Sequence, residues 1–489
     1  MPENKLNIFN IKKRNIRILH YTWFAFFMTF LMWQGLGPMM PYIKESLNLT
    51  THQVNVLFIL NVALAIPARI LVGMLVDKLG PRIMYSTILV TGGLISIAFT
   101  WANSYEQLAL IRLLCGFIGA GFVVGIRMIG EWFPARQTGL AQGIYGGWGN
   151  FGAAGASFIL PAIAIGTTGG WRYAMSLAGA AAIIYGIAYY FLVRNTPKGS
   201  TYFKPKKSGA MEVTSIGDLF IYMLMNIPLF IALALTTWTL SPSRMALISA
   251  STTYAIYAVL AILYIIQIWK IWQINGHILK KDIPKIHRYK FKQVAILDCA
   301  YMVTFGAEVA MVLILASFYI TLFPDLGKFM AGALTGVYAS MNLIARPGGG
   351  WLSDKFGRKL VLLIAFAGVS ASFVVLALVD NTWPLTTVVA VTIAAAIFSQ
   401  AGSGAVYAMV PLVQRRMTGQ IAGMVGAFGN VGAVIYLTAN SLGSFNTVFV
   451  VVAITALIVL AMILFLLEEP QGQIAETLPD GTVQMIDMK

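Results

Sequence analysis

Charge is scarce in this chain of 489 residues, in which 58% of the residues are hydrophobic and only 11% are charged. Soluble domains carry roughly a quarter charged residues, so an ordinary globular fold in water is excluded. The two cysteines, Cys115 and Cys299, lie inside hydrophobic stretches, which excludes a disulfide framework or a cysteine metal site. The four histidines lack metal-ligand spacing, and no GxSxG, phosphate-loop or HExxH motif indicates a membrane enzyme. We therefore expect no metal, no cofactor and no enzymatic activity.

Long hydrophobic stretches are abundant. A membrane-spanning helix needs about 20 apolar residues, because the hydrocarbon core of a bilayer is about 30 Å thick. The first stretch is too long for the apolar part of a signal peptide, so we expect it to be retained. The sequence thus predicts an all-α polytopic membrane protein with fourteen transmembrane helices, surrounded by membrane lipid. These lie at 18–41, 53–76, 83–102, 107–130, 138–165, 171–193, 216–240, 245–269, 293–323, 329–353, 359–379, 384–413, 418–443 and 446–467.

The distribution of lysine and arginine predicts the orientation of the chain. Placing the N-terminus inside puts 26 of the 34 basic residues on the inner side and four on the outer side. Cytoplasmic loops of membrane proteins carry such an excess. We therefore expect a basic cytoplasmic N-terminus (1–17) and a cytoplasmic polar tail (468–489). The net charge of +16 then reflects topology and requires no nucleic-acid partner.

Two sequence motifs occur twice in the same order. The segment ARILVGMLVDKLG at 68–80 corresponds to ARPGGGWLSDKFG at 345–357, with an offset of 277 residues. The segment TGLAQGIYGGWGNFG at 138–152 corresponds to TGQIAGMVGAFGNVG at 418–432, with an offset of 280 residues. Because the two offsets agree within three residues, the motifs indicate an internal duplication.

The duplication predicts two six-helix halves, at 18–193 and 292–467, in parallel repeat. Substrate sites of such transporters lie at the interface of the repeats, near the middle of the membrane. The segment between them, 194–291, forms a linker with two extra transmembrane helices at 216–240 and 245–269. An even number of extra helices leaves the second half in the same orientation as the first.

The repeated motifs also carry a resemblance to a known family. The segment GMLVDKLGPR at 73–82, repeated as GWLSDKFGRK at 350–359, resembles the loop signature of the major facilitator superfamily. The segments GGWGNFG at 146–152 and GAFGNVG at 426–432 resemble the paired signatures of its nitrate/nitrite porter family. The extra helix pair departs from the twelve-helix pattern of that family.

This resemblance implies a major facilitator fold and a secondary transporter in the cytoplasmic membrane of a bacterium. It implies import of nitrate, and of nitrite, by alternating access in symport with protons, in the service of nitrate assimilation, and we expect a functional monomer. Two alternatives remain: an exchanger of other small oxyanions or carboxylates such as oxalate or formate, and a fourteen-helix drug exporter.

Two arginines are candidates for binding an anion. Arg69 and Arg346 each precede a loop aspartate, Asp77 or Asp354, by eight residues, which is about 12 Å along a helix. A charge at such a depth costs at least roughly 2.5–3.5 kcal/mol. Neither arginine has an acid three or four residues away, and a guanidinium group binds oxyanions through two parallel hydrogen bonds. We expect an anion clamp, and both positions match the substrate arginines of the family that the chain resembles.

Two asparagines lie near the same depth. Asn150 and Asn430 each follow the threonine at the start of their motif (Thr138, Thr418) by twelve residues. They either form hydrogen bonds between helices or donate amide hydrogens to the anion, and the resemblance favours the second role. We expect the glycines that recur around them every three or four residues to bring helices close together.

Three further candidates follow one another by helical spacing. Tyr301 and Phe305 resemble a tyrosine and a phenylalanine that line the site of the family, and Glu308 follows one turn later. The segment FGAE resembles the pattern of the proton-symporting branch, which implies that Glu308 carries protons. Nitrate needs at least two protons to enter a cell with inward net charge. The alternative is a carboxylate that only balances the arginines.

The remaining charged candidates are assigned to an inner gate. Arg127 and Glu131 are spaced for an ion pair within one helix, and we expect them to form this gate with Asp77 and Asp354. Asp298 is expected near the inner surface, in contact with water.

Overall fold

The computed structural model describes residues 6–168, 170–200, 202, 210–244, 246–279, 289–414, 417–469, 473–477 and 483–487. Eleven of the basic residues in the orientation argument, and parts of the predicted linker and tail, lie outside this range. These basic residues are Lys5, Lys204, Lys206, Lys207, Lys280, Lys281, Lys285, Arg288, Arg415, Arg416 and Lys489.

Helices dominate the described part of the chain, as predicted. The helices before the linker are α1 (Arg14–Gln34), α2 (Leu36–Ser46), α3 (Thr51–Ala63), α4 (Ala65–Leu79), α5 (Pro81–Ala98), α6 (Tyr105–Cys115), α7 (Gly121–Trp132), α8 (Ala135–Asn150), α9 (Gly152–Gly166) and α10 (Gly170–Leu192). The linker contains α11 (Ile216–Met225), α12 (Ile227–Leu240) and α13 (Ala250–Asn275). Below, α1–α10 are called the first half.

The helices of the second half follow the linker. They are α14 (Phe291–Leu322), α15 (Gly327–Ser340), α16 (Ala345–Phe356), α17 (Arg358–Ala377), α18 (Leu385–Val413), α19 (Thr418–Leu442) and α20 (Phe445–Leu466). The tail departs from the helical pattern, because β1 (Gln473–Thr477) and β2 (Val483–Asp487) form an antiparallel pair.

The prediction of fourteen spans is not confirmed. In the described part of the chain, twelve helical segments are long and apolar enough to cross a membrane. The predicted spans at 18–41 and 329–353 are not among them. The first is divided at Gly35 between α1 and α2, and α1 includes Arg14 and Arg17. The second is divided by a 3₁₀ turn at Met341–Leu343 into α15 and α16, each too short to span the bilayer alone.

The repeated loop motif ends two helices in the same way. Gly80 follows α4 with φ 91°, and Gly357 follows α16 with φ 99°. Glycine adopts positive φ without the steric cost of a Cβ atom. Both helices therefore end two residues after Asp77 and Asp354, which places each aspartate in the last turn. We call this side of the bundle the aspartate end.

Glycines bring the two halves into backbone contact. A Cβ atom on Gly143 of α8 would lie 2.8 Å from the carbonyl oxygen of Arg346 on α16. A Cβ atom on Gly423 of α19 would lie 2.7 Å from the carbonyl oxygen of Arg69 on α4. These positions agree with the packing role expected for the glycine stripes. They also set the separation between the arginines and the opposite half.

The linker helices lie at the edge of the bundle. Only four residues of α13 are buried, namely Thr253, Ile271, Ile274 and Asn275. By contrast, α14 and α19 have buried residues along nearly their whole length. The centre of the molecule is therefore built from the two halves, and the linker pair is peripheral to it.

Substitution of a contact glycine tests this packing. Gly143→Ala should destabilise the protein by about 1–3 kcal/mol, because the backbone of α16 must move away. Gly332→Ala is the matched control, since the space around Gly332 is open. Thermal unfolding of the two purified variants in detergent measures the difference. Equal stability of Gly143→Ala and Gly332→Ala would contradict the close approach.

Candidate functional site

Arg69 and Arg346 meet at the interface between the halves, both almost fully buried. Arg69 Nη1 donates to the carbonyl oxygen of Gly426 on α19 at 2.6 Å. Arg346 Nη1 donates to the carbonyl oxygen of Gly146 on α8 at 3.4 Å. Each arginine thus binds the backbone of the opposite half, and Gly146 and Gly426 correspond to each other in the repeat. The sequence prediction that the two guanidinium groups face one central seam agrees with this geometry.

The arginine side chains pack closely against these two glycines. A Cβ atom on Gly146 would lie 3.1 Å from Cδ of Arg346, and one on Gly426 would lie 3.2 Å from Cδ of Arg69. A Cβ atom at either position would require the arginine side chain to shift by a few tenths of an ångström. Two glycines that the sequence suggests only as packing residues also contribute carbonyl oxygens to the site.

Aromatic rings separate the two guanidinium groups. The centroid of the Phe305 ring lies 4.8 Å from Cζ of Arg69 and 5.7 Å from Cζ of Arg346. The ring of Phe122 lies 5.7 Å and 5.9 Å from the same two atoms. Cation–π attraction of this kind stabilises a desolvated guanidinium group. Phe305 therefore lies beside both arginines, and Phe122 is an additional ring that the sequence prediction missed.

Tyr301 joins the same cluster. Its ring stacks on Phe305 with 4.9 Å between centroids and an interplanar angle of 7°. Arg346 Nη2 donates to its hydroxyl oxygen at 3.3 Å. The ring of Tyr407 packs edge-on against both Tyr301 and Phe122. Tyr301 thus lies in the cluster around the arginines. Tyr407 also belongs to this cluster, and the internal repeat of the sequence does not indicate it.

Among the residues that the structure describes, Glu308 is the one carboxylate in this cluster. Its Oε2 atom lies 3.4 Å from Nη2 of Arg346. Its Oε1 atom accepts hydrogen bonds from Nδ2 of Asn150 at 3.2 Å and Nδ2 of Asn342 at 2.8 Å. Glu308 is therefore a partner of Arg346 and not of Arg69. Three donors on one carboxyl group fit the ionised form, which only accepts hydrogen bonds.

The asparagines do not behave as a matched pair. Asn150 donates to Glu308, whereas Asn430 makes a 3.5 Å contact to the carbonyl oxygen of Gly426 within its own helix. Asn342 was missed, although it lies one turn before Arg346, and a buried amide at that spacing was a usable signal. Asn150 thus lies beside the arginines, but its amide nitrogen already donates a hydrogen bond to the carboxylate of Glu308.

The charges of the cluster do not cancel. With Glu308 ionised, Arg69, Arg346 and Glu308 carry a net charge of +1. In the described part of the chain, Arg69 Nη2 and Arg346 Nε have no hydrogen-bond partner. A buried cation without its full set of partners is expensive. The arrangement is therefore suited to a small anion of charge −1 that accepts hydrogen bonds.

A second pair of contacts between the halves lies at the aspartate end. Asp77 accepts a hydrogen bond from the backbone nitrogen of Gln420, the third residue of α19, at 3.1 Å. Asp354 accepts one from the backbone nitrogen of Leu140 on α8, also at 3.1 Å. The position of Gln420 in the first turn of α19 favours a carboxylate there, because the first backbone N–H groups of a helix lack partners within it. The two aspartates thus join the halves at equivalent places.

The cationic partners of the two aspartates differ. Arg127 Nε lies 3.2 Å from Asp77, and Arg127 Nη2 lies 2.9 Å from Glu131. Asp354 instead pairs with Arg358, at 3.2 Å, which the sequence prediction missed. The four predicted gate residues therefore belong to two separate clusters. Both clusters include a contact between the halves.

A linker residue completes the first cluster. The hydroxyl group of Tyr202 donates to the carbonyl oxygen of Val76 at 2.6 Å and accepts from Arg127 Nε at 3.4 Å. Burial raises the pKa of Tyr202 to about 12, so the phenol is neutral and available as a donor. This contact ties the linker to the aspartate end.

The expectation for Asp298 is wrong. Its side chain is buried, with 0% relative exposure, and is not in contact with water at the surface. Neither carboxyl oxygen has a hydrogen-bond partner among the described residues. Sequence position alone suggested an exposed site, because Asp298 lies only seven residues after the start of α14. The helices packed around that turn were not visible in the sequence.

Comparison with known proteins gives the family of the chain. A family model described as Major Facilitator Superfamily matches residues 22–279 and 297–487. The chain is 45% identical over 468 residues to the nitrate/nitrite transporter NrtP of Nostoc punctiforme, covering 94% of this chain and 93% of that protein. It is 41% identical over 505 residues to the nitrate/nitrite transporter NrtP of Picosynechococcus sp., covering 94% of each.

A more distant relative comes from a plant. The chain is 26% identical over 444 residues to the high-affinity nitrate transporter 2.3 of Oryza sativa subsp. japonica, covering 88% of this chain and 72% of that protein. These matches and the twelve candidate spans make the chain a multi-pass membrane protein. The resemblance that the repeated motifs carry is confirmed, and the chain belongs to the nitrate/nitrite porter family of the Major Facilitator Superfamily.

Proposed function

We propose that the protein imports nitrate, and also nitrite, across the cytoplasmic membrane by alternating access in symport with protons. The observation that carries the proposal is the pair of buried arginines, Arg69 and Arg346, that reach across the seam between the halves. Relatives that the chain covers almost completely are named nitrate/nitrite transporters.

The chemistry of nitrate fits these donors. Nitrate is planar, carries one negative charge and is a very weak base, so it binds to fixed donors and does not recruit a proton of its own. Guanidinium groups are planar and permanently charged, and they present parallel N–H groups. Arg69 and Arg346 would together replace part of the hydration shell of the anion, with Phe305 and Tyr301 forming the walls of the site.

The charge of the cluster also favours a monovalent substrate over the alternatives. A dicarboxylate such as oxalate carries two negative charges, whereas the cluster carries +1 when Glu308 is ionised. An exporter of hydrophobic compounds needs an apolar central cavity with the arginines turned away. In this chain the arginines point into the seam and bind the opposite half.

Glu308 links the proton to the anion. Its carboxylate occupies Arg346 Nη2, so a proton on Glu308 releases that donor for the anion. Before loading, Arg69, Arg346 and Glu308 sum to +1. After uptake of one proton and one nitrate the sum is again +1. The cluster therefore carries the same charge when it is empty and when it is loaded. The free energy of burying that charge does not change as the site turns from one side of the membrane to the other.

Alternating access requires that contacts at the two ends of the bundle break in turn. We place the aspartate end in the cytoplasm, with both termini, following the distribution of basic residues. The contacts of Asp77 with Gln420 and of Asp354 with Leu140 close that side. Rocking of the first half against the second, with residues 18–193 and 292–467 as the moving bodies, would open it. We further propose that α1 with α2 and α15 with α16 also cross the membrane, which gives fourteen spans in a functional monomer.

Lysine substitutions test the clamp. Arg69→Lys and Arg346→Lys keep the positive charge but lose the planar guanidinium group with its parallel N–H donors. A charge-assisted hydrogen bond contributes about 1.5–3 kcal/mol. We expect the apparent affinity for nitrate to fall by about 10- to 100-fold in each variant. Uptake of labelled nitrate into proteoliposomes measures this, with Arg17→Lys on the exposed start of α1 as control. Wild-type affinity in both variants would count against the clamp.

Competition defines the substrate class. Excess nitrite should inhibit uptake of labelled nitrate, because it presents the same charge and similar oxygen geometry to the arginines. Oxalate at the same excess should leave most of the uptake intact, because its second charge is not balanced. Stronger inhibition by oxalate than by nitrite would favour the carboxylate exchanger.

Substitution of Glu308 tests its role in coupling. Glu308→Gln cannot take up a proton at this position, so the stimulation of nitrate uptake by an inwardly directed proton gradient should be reduced, while exchange of nitrate across the membrane persists. Glu45→Gln, on an exposed turn of α2, is the control. The measurement compares uptake with and without a pH gradient for the three proteins. Stimulation of Glu308→Gln equal to wild type would show that this carboxylate is only a counter-ion.

A further inference from the structure

A second acid on α14 has surroundings opposite to those of Glu308. Glu308 receives hydrogen bonds from Arg346, Asn150 and Asn342. Asp298 is equally buried, yet neither of its oxygens has a hydrogen bond or an ion pair among the described residues. An ionised carboxylate in such a place costs several kcal/mol, whereas the neutral acid costs far less. The geometry thus fits a protonated Asp298 in this conformation.

Asp298 lies on the same helical face as the anion cluster. The residues Asp298, Tyr301, Phe305 and Glu308 follow spacings of three, four and three, which place them along one stripe of α14. Ten residues separate the two acids, or about 15 Å along the helix axis. Asp298 is the member nearest the aspartate end. It therefore lies between the anion cluster and the side that we place in the cytoplasm.

The titratable groups near Asp298 are neutral side chains. Tyr222 faces it from α11 and Tyr407 from α18, and Cys299 is its neighbour on α14. The hydroxyl group of Tyr407 donates to the carbonyl oxygen of Ala422. None of these groups supplies a positive charge. A cation that would hold the carboxyl group permanently ionised is thus not found among the described residues.

The linker covers this part of α14. The ring of Tyr222 packs on Phe291, the first residue of α14, with 4.8 Å between centroids. Asp218 accepts a hydrogen bond from the backbone nitrogen of Phe291 at 2.8 Å. Tyr222 also borders a small cavity of about 20 Å³, together with Asn226 and Gln420. That volume has room for about one water molecule. Most of the cavity lining is apolar, and Tyr222, Asn226 and Gln420 are polar residues in it.

We propose that Asp298 is a second proton-binding site of the transport cycle, occupied while the contacts at the aspartate end are closed. This inference rests on the proposed proton-coupled uptake of a monovalent anion. One proton on Glu308 and one anion move no net charge. A second proton on Asp298 makes each turnover carry one positive charge inward, so that a negative interior drives uptake. Opening of the aspartate end would hydrate Asp298 and release the proton to the cytoplasmic water.

The test measures charge movement in proteoliposomes that contain wild type, Asp298→Asn, Glu308→Gln or Asp325→Asn. The last is a control, because Asp325 is exposed just beyond the far end of α14. An inside-negative potential of 100 mV is worth about 50-fold accumulation per net positive charge. Wild type and Asp325→Asn should accumulate nitrate toward this limit without a pH gradient. In Asp298→Asn, the accumulation of nitrate driven by the potential should stay near onefold. This variant should still accumulate nitrate in an inwardly directed proton gradient.

The outcomes separate the two proposals. A potential response of Asp298→Asn equal to wild type overturns the role of Asp298 and leaves the transport function intact. Loss of all nitrate flux in a monodisperse Asp298→Asn also overturns it, because a proton site alone is not required for exchange. Absence of nitrate uptake in the wild type itself overturns the proposed function.

A second variant covers the case in which Asp298→Asn does not fold. Asp298→Glu keeps a carboxyl group and should retain the potential response. It should also shift the infrared C=O band of a protonated carboxyl group in the resting protein, whereas Asp325→Asn should leave that band in place. A band that is unchanged in Asp298→Glu would show that Asp298 holds no proton, and would overturn the inference.

Discussion

The structure depends on the cost of burying two guanidinium groups in a place where the described residues supply only one carboxylate. Each guanidinium group is stabilised by the carbonyl oxygen of a glycine from the opposite half and by the rings of Phe122 and Phe305. Glu308 compensates Arg346 alone. The remaining positive charge cannot be relieved by a change of protonation, because arginine stays charged in proteins. Under the proposed function, a bound anion completes the balance of charge at this place.

The same helix pairs carry both the site and the closing contacts. Helix α4 bears Arg69 in its first turns and Asp77 in its last turn, and both bind α19. Helix α16 bears Arg346 and Asp354, and both bind α8. A shift of either pair that opens the aspartate end must also change the hydrogen bonds of an arginine. Under the proposed mechanism, occupancy of the site and the position of the two halves are coupled through rigid helices, without a separate relay.

The sequence was sufficient for the parts that follow from composition and repetition. Hydrophobic stretches predicted the helices, and the duplicated motifs predicted that Arg69 and Arg346 lie at equivalent positions. Helical spacing placed Tyr301, Phe305 and Glu308 on one face. Contacts that depend on how distant helices approach were not predictable. These include the ring of Phe122 beside the arginines and the ring of Tyr407 beside Tyr301. The prediction of an exposed Asp298 failed for the same reason, since α11, which is distant in sequence, packs over this part of α14. By contrast, Arg358 lies four residues after Asp354 and Asn342 four residues before Arg346, so the sequence did offer a signal for both.

The repeat also distinguishes two kinds of residue. Arg69 and Arg346, and likewise Asp77 and Asp354, occur once in each half at an offset of 277. The two acids of α14 have no such counterparts, because the same offset leads from Glu308 to Leu31 and from Asp298 to Tyr21. In the proposed mechanism, the symmetric residues bind a substrate between two similar surfaces and close the aspartate end. A proton-driven carrier needs in addition a group whose charge can change, and one half is sufficient to provide it. In the proposed mechanism, the duplicated parts therefore handle the anion and the unduplicated acids of α14 handle the protons.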